Sequence, residues 1–476
     1  MAVTDAELAR AQGLVEFIAA CPSMFHTAAT ISGRLEAAGF AYLPEGCAWE
    51  QRPGGRYYTR RNNSSVIAWK VGADVAPLAG GPAGGAACLE ASAPSEAGDK
   101  ACGAPSGAPA LHFQLSAAHS DSPMFKLKAV AELEGPRGYL RLDTEAYGGM
   151  IDYTWFDRPL GVAGRVLVRD GARVESRLVA PDRDLAVIPS VPIHMQRDVN
   201  KGFAPNRARD LAPLVSLGGL TVGALDELLA EELGVRPEQI IARDLFLVSR
   251  VPGRVWGAAN EFVSSPKLDD LACAYASLEA FLAAENARDV SVYCCFDNEE
   301  VGSNTKQGAM STFLRDVLSR VVAGLGGTQE DYLRALSASM LVSCDNAHAQ
   351  HPNRPDLHDE ANAPVLGGGL VIKEAANQKY CTDAFSRAAF MAVCADAGVP
   401  LQTFANRSDM AGGSTLGNLS NIQASMHAVD VGLPQLAMHS SYETGAVADV
   451  DLAIRALTAF FEADLAIDGA DAVVIK

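Results

Sequence analysis

The chain has 476 residues, of which 49% are hydrophobic and 20% are charged, and this ordinary globular composition excludes a disordered or fibrous protein. Thirty-nine basic residues against 57 acidic ones give a formal net charge of −18. Because sequence-independent nucleic-acid binding and docking on an anionic membrane both need clustered Lys and Arg, we expect neither kind of partner. At about 150 residues per domain, the length predicts two or three domains' worth of chain.

The ends and the cysteines of the chain favour a cytoplasmic protein. No run of about 18 uninterrupted apolar residues occurs, so no transmembrane helix is expected. Asp5 and Glu7 lie where a secretory signal would carry basic residues. The ten cysteines are scattered, and there is no CxxC pair. In a chain this long we read them as reduced thiols rather than as disulfides or a zinc finger.

The first stretch of the chain predicts helices and then an insertion. Thr4 followed three residues later by Glu7 matches a helix N-cap with a capping box, and HTAATISGRLEAAGF continues the helical pattern. Residues 76–110 are different, because they consist largely of Ala, Gly, Pro and Ser. Such a segment cannot contribute to a packed core, so we predict a flexible surface insertion without chemistry.

The secondary-structure pattern of the remaining sequence changes twice. Residues 122–256 read mostly as short antiparallel strands with turns. From residue 257 onward, apolar strand patterns alternate with helical ones, which is typical of an α/β fold with a mostly parallel central sheet and helices on both faces. The simplest architecture is one such domain built from residues 1–121 and 257–476. The β-rich domain over residues 122–256 would then be inserted between its two parts.

Metal-compatible side chains follow four strand-like segments of the α/β part. In an open α/β sheet, ligands bind beyond the carboxyl ends of the strands. Four segments would therefore deliver His, Asp and Glu to one edge of one sheet. These residues are His119 and Asp121, then Asp297, Glu299 and Glu300, then Asp345 and His348, and finally His439.

Imidazole and carboxylate ligands suit zinc, cobalt or manganese rather than a thiolate site. Two close divalent ions need a bridging carboxylate, and Asp269 at the start of a predicted helix is a candidate, although a helix cap is its ordinary use. Glu299 and Glu300 could divide metal binding and proton transfer, or could form a solvated acidic pair. Asp121 lies two residues from His119 and could hydrogen-bond its ring.

The amino-acid sequences of these segments resemble those of one protein family. AHSDSP, SSPKLDD, FDNEEVGS, CDNAHAQHPN and MHSSYETG resemble, in this order, the signature segments of the aspartyl aminopeptidase family. Members of that family are cytosolic metallopeptidases with two zinc ions per active site. IPSVPIHMQRDVN, GLVIKEAANQKY and SMFHTA also resemble the family pattern. Except for the Ala/Gly-rich insertion, the resemblance covers nearly the whole chain.

The resemblance implies a set of metal ligands. His119 and Asp345 would bind one zinc ion, Glu300 and His439 would bind the other, and Asp269 would bridge them. Cobalt or manganese could substitute for zinc. The fold implied is a peptidase domain interrupted by a β-rich dimerisation domain, and family members commonly assemble as tetrahedral dodecamers.

The resemblance also implies catalytic and substrate-contacting roles. Glu299 would be the general base. Asp121, which we count with the catalytic residues, would fix the tautomer of the His119 ring, as proposed above from its spacing. The histidine in PIHMQ matches a family histidine that contacts substrate, often in the active site of a neighbouring subunit. By this resemblance, the substrate-contacting positions would be His194, His348, Lys373 and Tyr380.

We therefore expect an aminopeptidase that hydrolyses the N-terminal residue from peptides with a free N-terminus. The family name implies a preference for Asp and Glu. The family resemblance implies a two-zinc mechanism in which a bridging water attacks with Glu299 as base. One alternative is a related dizinc amidohydrolase that deacylates N-acyl amino acids. Another is a non-catalytic assembly protein on the same scaffold.

Overall fold

The structure is a computed structural model that describes residues 3–76, 78 and 111–476. Apart from Ala76 and Leu78, the insertion predicted over residues 76–110 lies outside the described residues. The α-helices are α1 (Asp5–Ala19), α2 (Met24–Ala37), α3 (Ala224–Leu233), α4 (Leu268–Ala283), α5 (Phe313–Gly324), α6 (Gln329–Ser337), α7 (Ala384–Asp396), α8 (Leu416–Ser420) and α9 (Val447–Glu462).

The strands lie both before and after the helix α4. The first eleven are β1 (Ala41–Tyr42), β2 (Arg56–Arg61), β3 (Ser65–Val71), β4 (Phe113–His119), β5 (Met124–Glu134), β6 (Leu140–Tyr147), β7 (Leu160–Asp170), β8 (Arg173–Val179), β9 (Leu214–Ser216), β10 (Ile240–Ser249) and β11 (Arg254–Trp256). The others are β12 (Phe262–Ser265), β13 (Val290–Phe296), β14 (Met340–Cys344), β15 (Ala347–His348), β16 (Leu370–Glu374), β17 (Leu401–Ala405), β18 (His427–Gly432), β19 (Pro434–Leu436), β20 (Glu443–Ala446), β21 (Leu465–Asp468) and β22 (Ala472–Ile475).

The central sheet has nine strands in the order β1-β2-β3-β13-β4-β14-β18-β16-β17. Its middle is parallel, from β13 through β4 and β14 to β18, whereas β3 and β16 run antiparallel to their inner neighbours. All seven residues of β13 are buried, as expected for a strand covered on both faces. The predicted α/β fold with a mostly parallel central sheet is confirmed.

Alternating side chains of this sheet pack into two separate hydrophobic cores, one on each face. Val66 and Ala68 of β3 pack with residues of α1, α2, α4, α7 and α9. Ile67 and Trp69 point to the other face and pack with residues of α5, α6 and α8. Because successive strand residues face opposite sides, the near-continuous apolar strands support helices on both faces.

A second sheet of six strands has the order β8-β7-β10-β5-β6-β9 and is antiparallel throughout. Its strands all come from residues 124–249, and we refer to it as the β-rich unit. Its core also contains Met24 and Phe25 from α2, so the unit packs against the amino-terminal part of the chain. The domain boundaries at residues 121 and 256 stay a prediction.

A third sheet was not expected from the sequence. It has the order β11-β12-β20-β19-β15 and lies next to the carboxyl ends of the central strands, with His348 on β15 and His439 between β19 and β20.

The α1 capping box is present, since Thr4 accepts from the Glu7 amide and Glu7 accepts from Thr4. No helix of the described residues is both long and apolar enough to cross a membrane.

Candidate metal centre

Three neighbouring parallel strands of the central sheet end at the candidate site. His119 is the last residue of β4 and lies opposite Phe296, the last residue of β13. The chain then turns into a short 3-10 helix that begins at Glu299. Asp345 directly follows β14. Since the carboxyl ends of parallel strands meet at one edge, the sheet itself brings the histidine and the carboxylates together.

Asp269 and Asp270 enter from the first turn of α4, where both residues have non-helical backbone angles. The peptide bond between them is cis. The Asp270 carboxylate accepts hydrogen bonds from the main-chain amides of His119 at 3.0 Å and Asn346 at 3.2 Å. Asp270 therefore ties α4 to the ends of β4 and β14, and Asp269 is held above the same strand ends.

Asp269 lies between two histidines. Its Oδ1 is 3.7 Å from His119 Nε2, and its Oδ2 is 3.2 Å from His439 Nε2. On the first side, Asp345 Oδ1 is 3.9 Å from His119 Nε2. On the second side, Glu300 Oε2 is 3.5 Å from His439 Nε2. One carboxylate thus contributes an oxygen to each of two groups of nitrogen and oxygen ligands.

The ligand atoms are close enough to bind ions. Three groups each offer ligand atoms that lie within 4.8 Å of one another. Asp269 Oδ1 and Glu300 Oε1 are buried and have no hydrogen-bond partner among the residues that the structure describes, although an unpaired buried charge is strongly unfavourable. A bound cation would satisfy both oxygens, and a set of His nitrogen and carboxylate oxygen is what zinc prefers in hydrolytic sites. The residues present therefore fit zinc.

The ring of His119 is oriented for metal binding. Its Nδ1 lies 3.0 Å from the main-chain carbonyl of Asp121, and a carbonyl oxygen can only accept, so Nδ1 carries the proton. Nε2 faces Asp269 and Asp345, so it would offer its lone pair to a cation bound there. The Asp121 carboxylate is 3.4 Å from Nδ1, so the nearer partner of the ring is the Asp121 backbone.

The Asp121 side chain holds the next segment. Its two oxygens accept the main-chain amides of Glu299 and Glu300, each at 3.2 Å. Glu299 and Glu300 lie in one short turn, so this pair of hydrogen bonds fixes the backbone of both residues relative to β4. The predicted role of Asp121 beside the ring is thus joined by a second one, which the sequence did not reveal.

The acids of the cluster strongly shift one another's pKa values and those of the neighbouring histidines. Burial raises the pKa of Glu299 to about 8, with neighbouring carboxylates adding to the effect and His119 opposing it. Burial alone would lower the pKa of His439, but the hydrogen bond and charge of Asp269 raise it to about 9. Burial would raise the pKa of Asp345, but Lys373 and His119 hold it well below its usual range. A divalent cation would replace protons as the charge that compensates these acids.

The predicted substrate-contacting residues fall into two places. Lys373 is buried on β16, donates to the main-chain carbonyl of Asp345 at 2.7 Å, and lies 5.1 Å from the Tyr380 ring centre. His348 lines a cavity of about 290 Å³ together with Phe404. Lys373 and Tyr380 therefore lie beside Asp345 of the metal-compatible cluster, and His348 lines a cavity. His194 lies on an exposed turn of the β-rich unit, and no hydrogen bond or ion pair joins it to the cluster within the described residues.

Some residues of the site were not expected. Glu443 is buried, and its two oxygens accept the main-chain amides of Asp269 at 3.0 Å and His439 at 2.6 Å. Its place four residues after His439 in the segment MHSSYETG was the only available signal. Asp270 is adjacent to Asp269 in the sequence, and spacing cannot distinguish the roles of two adjacent acids.

A family model described as "Aminopeptidase I zinc metalloprotease (M18)" matches residues 17–82 and 106–461. This match covers most of the chain. The chain belongs to the M18 aminopeptidase family. It is a zinc-dependent aminopeptidase, a hydrolase of peptide bonds, and the resemblance to the aspartyl aminopeptidase family seen in the sequence is confirmed.

Relatives support the assignment over the full length. A probable M18 family aminopeptidase 2 from Clostridium acetobutylicum is 40% identical over 442 residues, which cover 92% of this chain and 95% of that protein. A chain in the cryo-EM structure of the Ape4 and Nbr1 complex is 32% identical with a TM-score of 0.87, covering 97% of this chain and 88% of that one. The S. cerevisiae mApe1 dodecamer, at 24% identity and a TM-score of 0.78, covers 96% and 97% and shares the fold.

Proposed function

We propose that this aminopeptidase binds two zinc ions per subunit and removes N-terminal Asp or Glu from peptides, with Glu299 as general base. The observation that supports two ions is the Asp269 carboxylate, whose oxygens lie 3.7 Å from His119 Nε2 and 3.2 Å from His439 Nε2. His119 and Asp345 would hold one ion, and Glu300 and His439 would hold the other. Co²⁺ or Mn²⁺ could substitute, because the ligands are imidazole and carboxylate.

Each residue of the cluster then has a chemical task. When bound, zinc supplies a Lewis acid that polarises the scissile carbonyl and lowers the pKa of water. Glu299 takes the proton from the attacking water and passes it to the leaving amine. It is suited to this because a carboxylate oxygen of Glu299 lies within 4.8 Å of the ligand atoms of His119 and Glu300. Asp121 fixes the Glu299 backbone, so that the carboxylate stays aimed at the cluster.

The proposed preference for acidic N-terminal residues rests on the positive charge of Lys373. Lys373 lies 3.5 Å from Asp345 Oδ2, beside the cluster that would hold the substrate amine and carbonyl. Burial keeps water away from its ammonium group, so its field acts strongly at short range. Tyr380 and His348 would contact the same substrate residue. Lys373 also donates to two main-chain carbonyls, so its charge would act on the substrate mainly through space.

We also propose that the enzyme is cytosolic and assembles as a homo-oligomer, with the β-rich unit as its dimerisation domain. The turn that carries His194 exposes three large apolar side chains, which favours burial against another subunit. They are Val191, Ile193 and Met195, exposed by 51%, 46% and 83%. His194 would then contact substrate in the neighbouring active site. The dodecamer of mApe1 and the family resemblance make twelve subunits the proposed assembly.

A substrate panel tests the activity. The zinc-loaded enzyme is assayed with aminoacyl amides of Asp, Glu, Asn, Gln, Leu and Lys, and with N-acetyl-Asp and N-acetyl-Leu. We expect kcat/KM for Asp and Glu to exceed that for Asn and Gln, which match them in shape but lack the charge. We expect no cleavage of the acylated compounds.

Each outcome bears on one part of the proposal. A preference for Leu or Lys would overturn the acidic specificity but leave the aminopeptidase activity intact. Cleavage of N-acetyl-Asp without cleavage of the free-amine substrates would instead indicate a deacylase. Repeating the panel with Co²⁺ and Mn²⁺ separates the preference of the protein from that of the metal.

A further inference from the structure

The end of β6 connects the β-rich unit to the metal-compatible cluster through one tyrosine. The ring of Tyr147 packs edge-on against Phe246 of β10 at 5.5 Å between centroids, so it belongs to the core of the β-rich unit. Its hydroxyl reaches out of that unit and donates to Asp121 Oδ2 at 2.7 Å. The same oxygen accepts the Glu300 amide.

The direction of this hydrogen bond is fixed by a second contact. Asn298 Nδ2 donates to the Tyr147 hydroxyl oxygen at 2.7 Å, which uses an acceptor site of the hydroxyl and leaves its proton for Asp121. Burial and the nearby Asp121 charge raise the pKa of Tyr147 well above its usual range, so the hydroxyl stays a donor at neutral pH. Asn298 immediately precedes Glu299, and the tyrosine therefore holds the Glu299–Glu300 turn from two sides.

The two glycines after Tyr147 let the backbone come close to the ligands. Gly148 has a φ of +80°, and a Cβ built on it would lie 3.0 Å from Glu300 Cβ. A Cβ on Gly149 would lie 3.8 Å from His439 Nδ1. The Ile151 amide then donates to the His439 carbonyl at 3.0 Å. This segment of the β-rich unit thus packs directly on residues proposed to bind the second ion.

We propose that Tyr147 is a positioning residue for the metal centre, which orients Asp121 and through it the Glu299–Glu300 turn. The inference rests on the proposed roles of Asp121, Glu299 and Glu300. Tyr147 itself touches neither substrate nor metal. Without its hydroxyl, the Asp121 carboxylate loses a side-chain donor at 2.7 Å. The other side-chain donor given above, the His119 ring, is 3.4 Å away, so the carboxylate can rotate more easily away from the two amides that it holds.

The first test removes only the hydroxyl. In Tyr147→Phe we expect the dissociation constant of zinc, measured by competition with a chelator, to rise about tenfold, as is typical for loss of an outer hydrogen bond at a metal site. The visible absorption spectrum of the Co²⁺-loaded variant should change. We expect kcat to fall and KM to stay within about twofold. Tyr139→Phe is the matched control, because Tyr139 precedes the same strand and is 40% exposed.

The second test asks whether Tyr147 acts through Asp121. A double-mutant cycle combines Tyr147→Phe with Asp121→Ala, and circular dichroism with thermal melting checks that each variant is folded. We expect the effects on zinc affinity to be non-additive, so that Tyr147→Phe adds almost nothing once Asp121 is absent. Additive effects would overturn the proposal, as would a Tyr147→Phe variant with the zinc affinity and cobalt spectrum of Tyr139→Phe.

Metal affinity and the cobalt spectrum do not depend on which substrate the enzyme cleaves. If the substrate panel fails but the cycle is non-additive, the positioning role stands and the proposed specificity falls. If Asp121→Ala does not fold, the comparison of Tyr147→Phe with Tyr139→Phe still decides the question.

Discussion

At the scale of single residues, three buried acids of the site are held by backbone amides. Asp270, Asp121 and Glu443 each accept two main-chain amides. These three therefore stabilise the backbone around the cluster. Within the described part of the chain, Asp269 and Glu300 instead each present one oxygen without a hydrogen-bond partner, which is the arrangement expected of metal ligands.

Glu299→Gln tests the proposed base. The amide keeps the shape of the side chain but cannot accept a proton, so we expect kcat to fall about 10²- to 10⁴-fold, while zinc content per subunit is unchanged. Elemental analysis and steady-state kinetics measure both quantities. Glu330→Gln, on the exposed start of α6, is the matched control. Activity of Glu299→Gln near that of the wild type would show that another residue is the base.

Glu443→Gln tests the support beneath the ligands. Both of its oxygens accept amides of proposed ligands, and the NH₂ group of Gln would face one of those N–H groups. We expect zinc affinity to fall about 10- to 100-fold, as measured by chelator competition, with Glu330→Gln again unchanged. An affinity within twofold of the wild type would mean that this hydrogen-bonded support does not orient the ligands.

The sequence predicted the metal-compatible side chains better than their supports. His119, Glu299 and Asp345 each follow an apolar strand pattern, and that position alone indicated a shared edge. No sequence pattern of this kind indicates the roles of Glu443 and Tyr147, because their contacts join segments far apart in the chain. The separate roles of Glu299 and Glu300 came from the family resemblance, since adjacent acids of one type have no physical difference in sequence.

At the scale of elements, buried strands were the most predictable feature. VSVYCCF and SMLVSC are two of the apolar strand patterns that follow residue 257, and they form β13 and β14. Runs of apolar and β-branched residues of this length suit strands buried on both faces. The helix α6 and the C-terminal hairpin of β21 and β22 were missed. Each is short and partly exposed, so its pattern is weak in sequence. The five-stranded sheet could not be predicted, because it pairs strands from distant parts of the chain.

The close approach of β18 to the site gives a prediction at this scale. A Cβ on Gly432 would overlap the main-chain carbonyl of Asp345, and neither strand end can move freely. We expect Gly432→Ala to destabilise the protein by about 1–3 kcal/mol and to weaken zinc binding, as measured by denaturant unfolding and chelator competition.

The matched control for Gly432→Ala is Gly33→Ala within α2, where an added Cβ would meet nothing within 4 Å. There we expect a gain of about 0.5–1 kcal/mol, because alanine is the better helix former. If both substitutions left stability and zinc affinity unchanged, the packing of β18 against Asp345 would not constrain the site.

At the scale of the whole molecule, the net charge of −18 has a local counterpart. Several of the acids lie in one cluster where two divalent cations would offset them. An acidic protein would otherwise repel an acidic peptide, so the proposed specificity requires a locally positive field. The cations and Lys373 would supply it.

Metal removal should therefore lower the stability of the fold. Without zinc, the buried acids must take up protons or repel one another, so we expect a chelator to lower the melting temperature and Zn²⁺ to restore it. With free zinc at about 1,000 times its dissociation constant, the stabilisation would be about 4 kcal/mol per site. Calorimetry with and without chelator measures the shift, and Mg²⁺, which prefers oxygen ligands, is the control ion. Identical melting curves would argue against a zinc centre in this cluster.

Assembly gives a second prediction at this scale. If the exposed turn around His194 lies between subunits, Ile193→Asp should place a charge in an apolar interface and reduce the particle size seen by native mass spectrometry. Val174→Asp, on an edge strand of the same unit and 49% exposed, is the control for a new surface charge. A wild-type particle of one chain would contradict the proposed dodecamer.

The positions of the metal ions test the central claim most directly. Crystals of the zinc-loaded enzyme are measured on both sides of the zinc absorption edge, and an anomalous difference map locates the zinc ions. We expect two peaks per chain about 3.5–4 Å apart, one beside His119 and Asp345, the other beside Glu300 and His439, with Asp269 touching both. A single peak, or a pair of peaks that Asp269 does not bridge, would contradict the two-zinc centre.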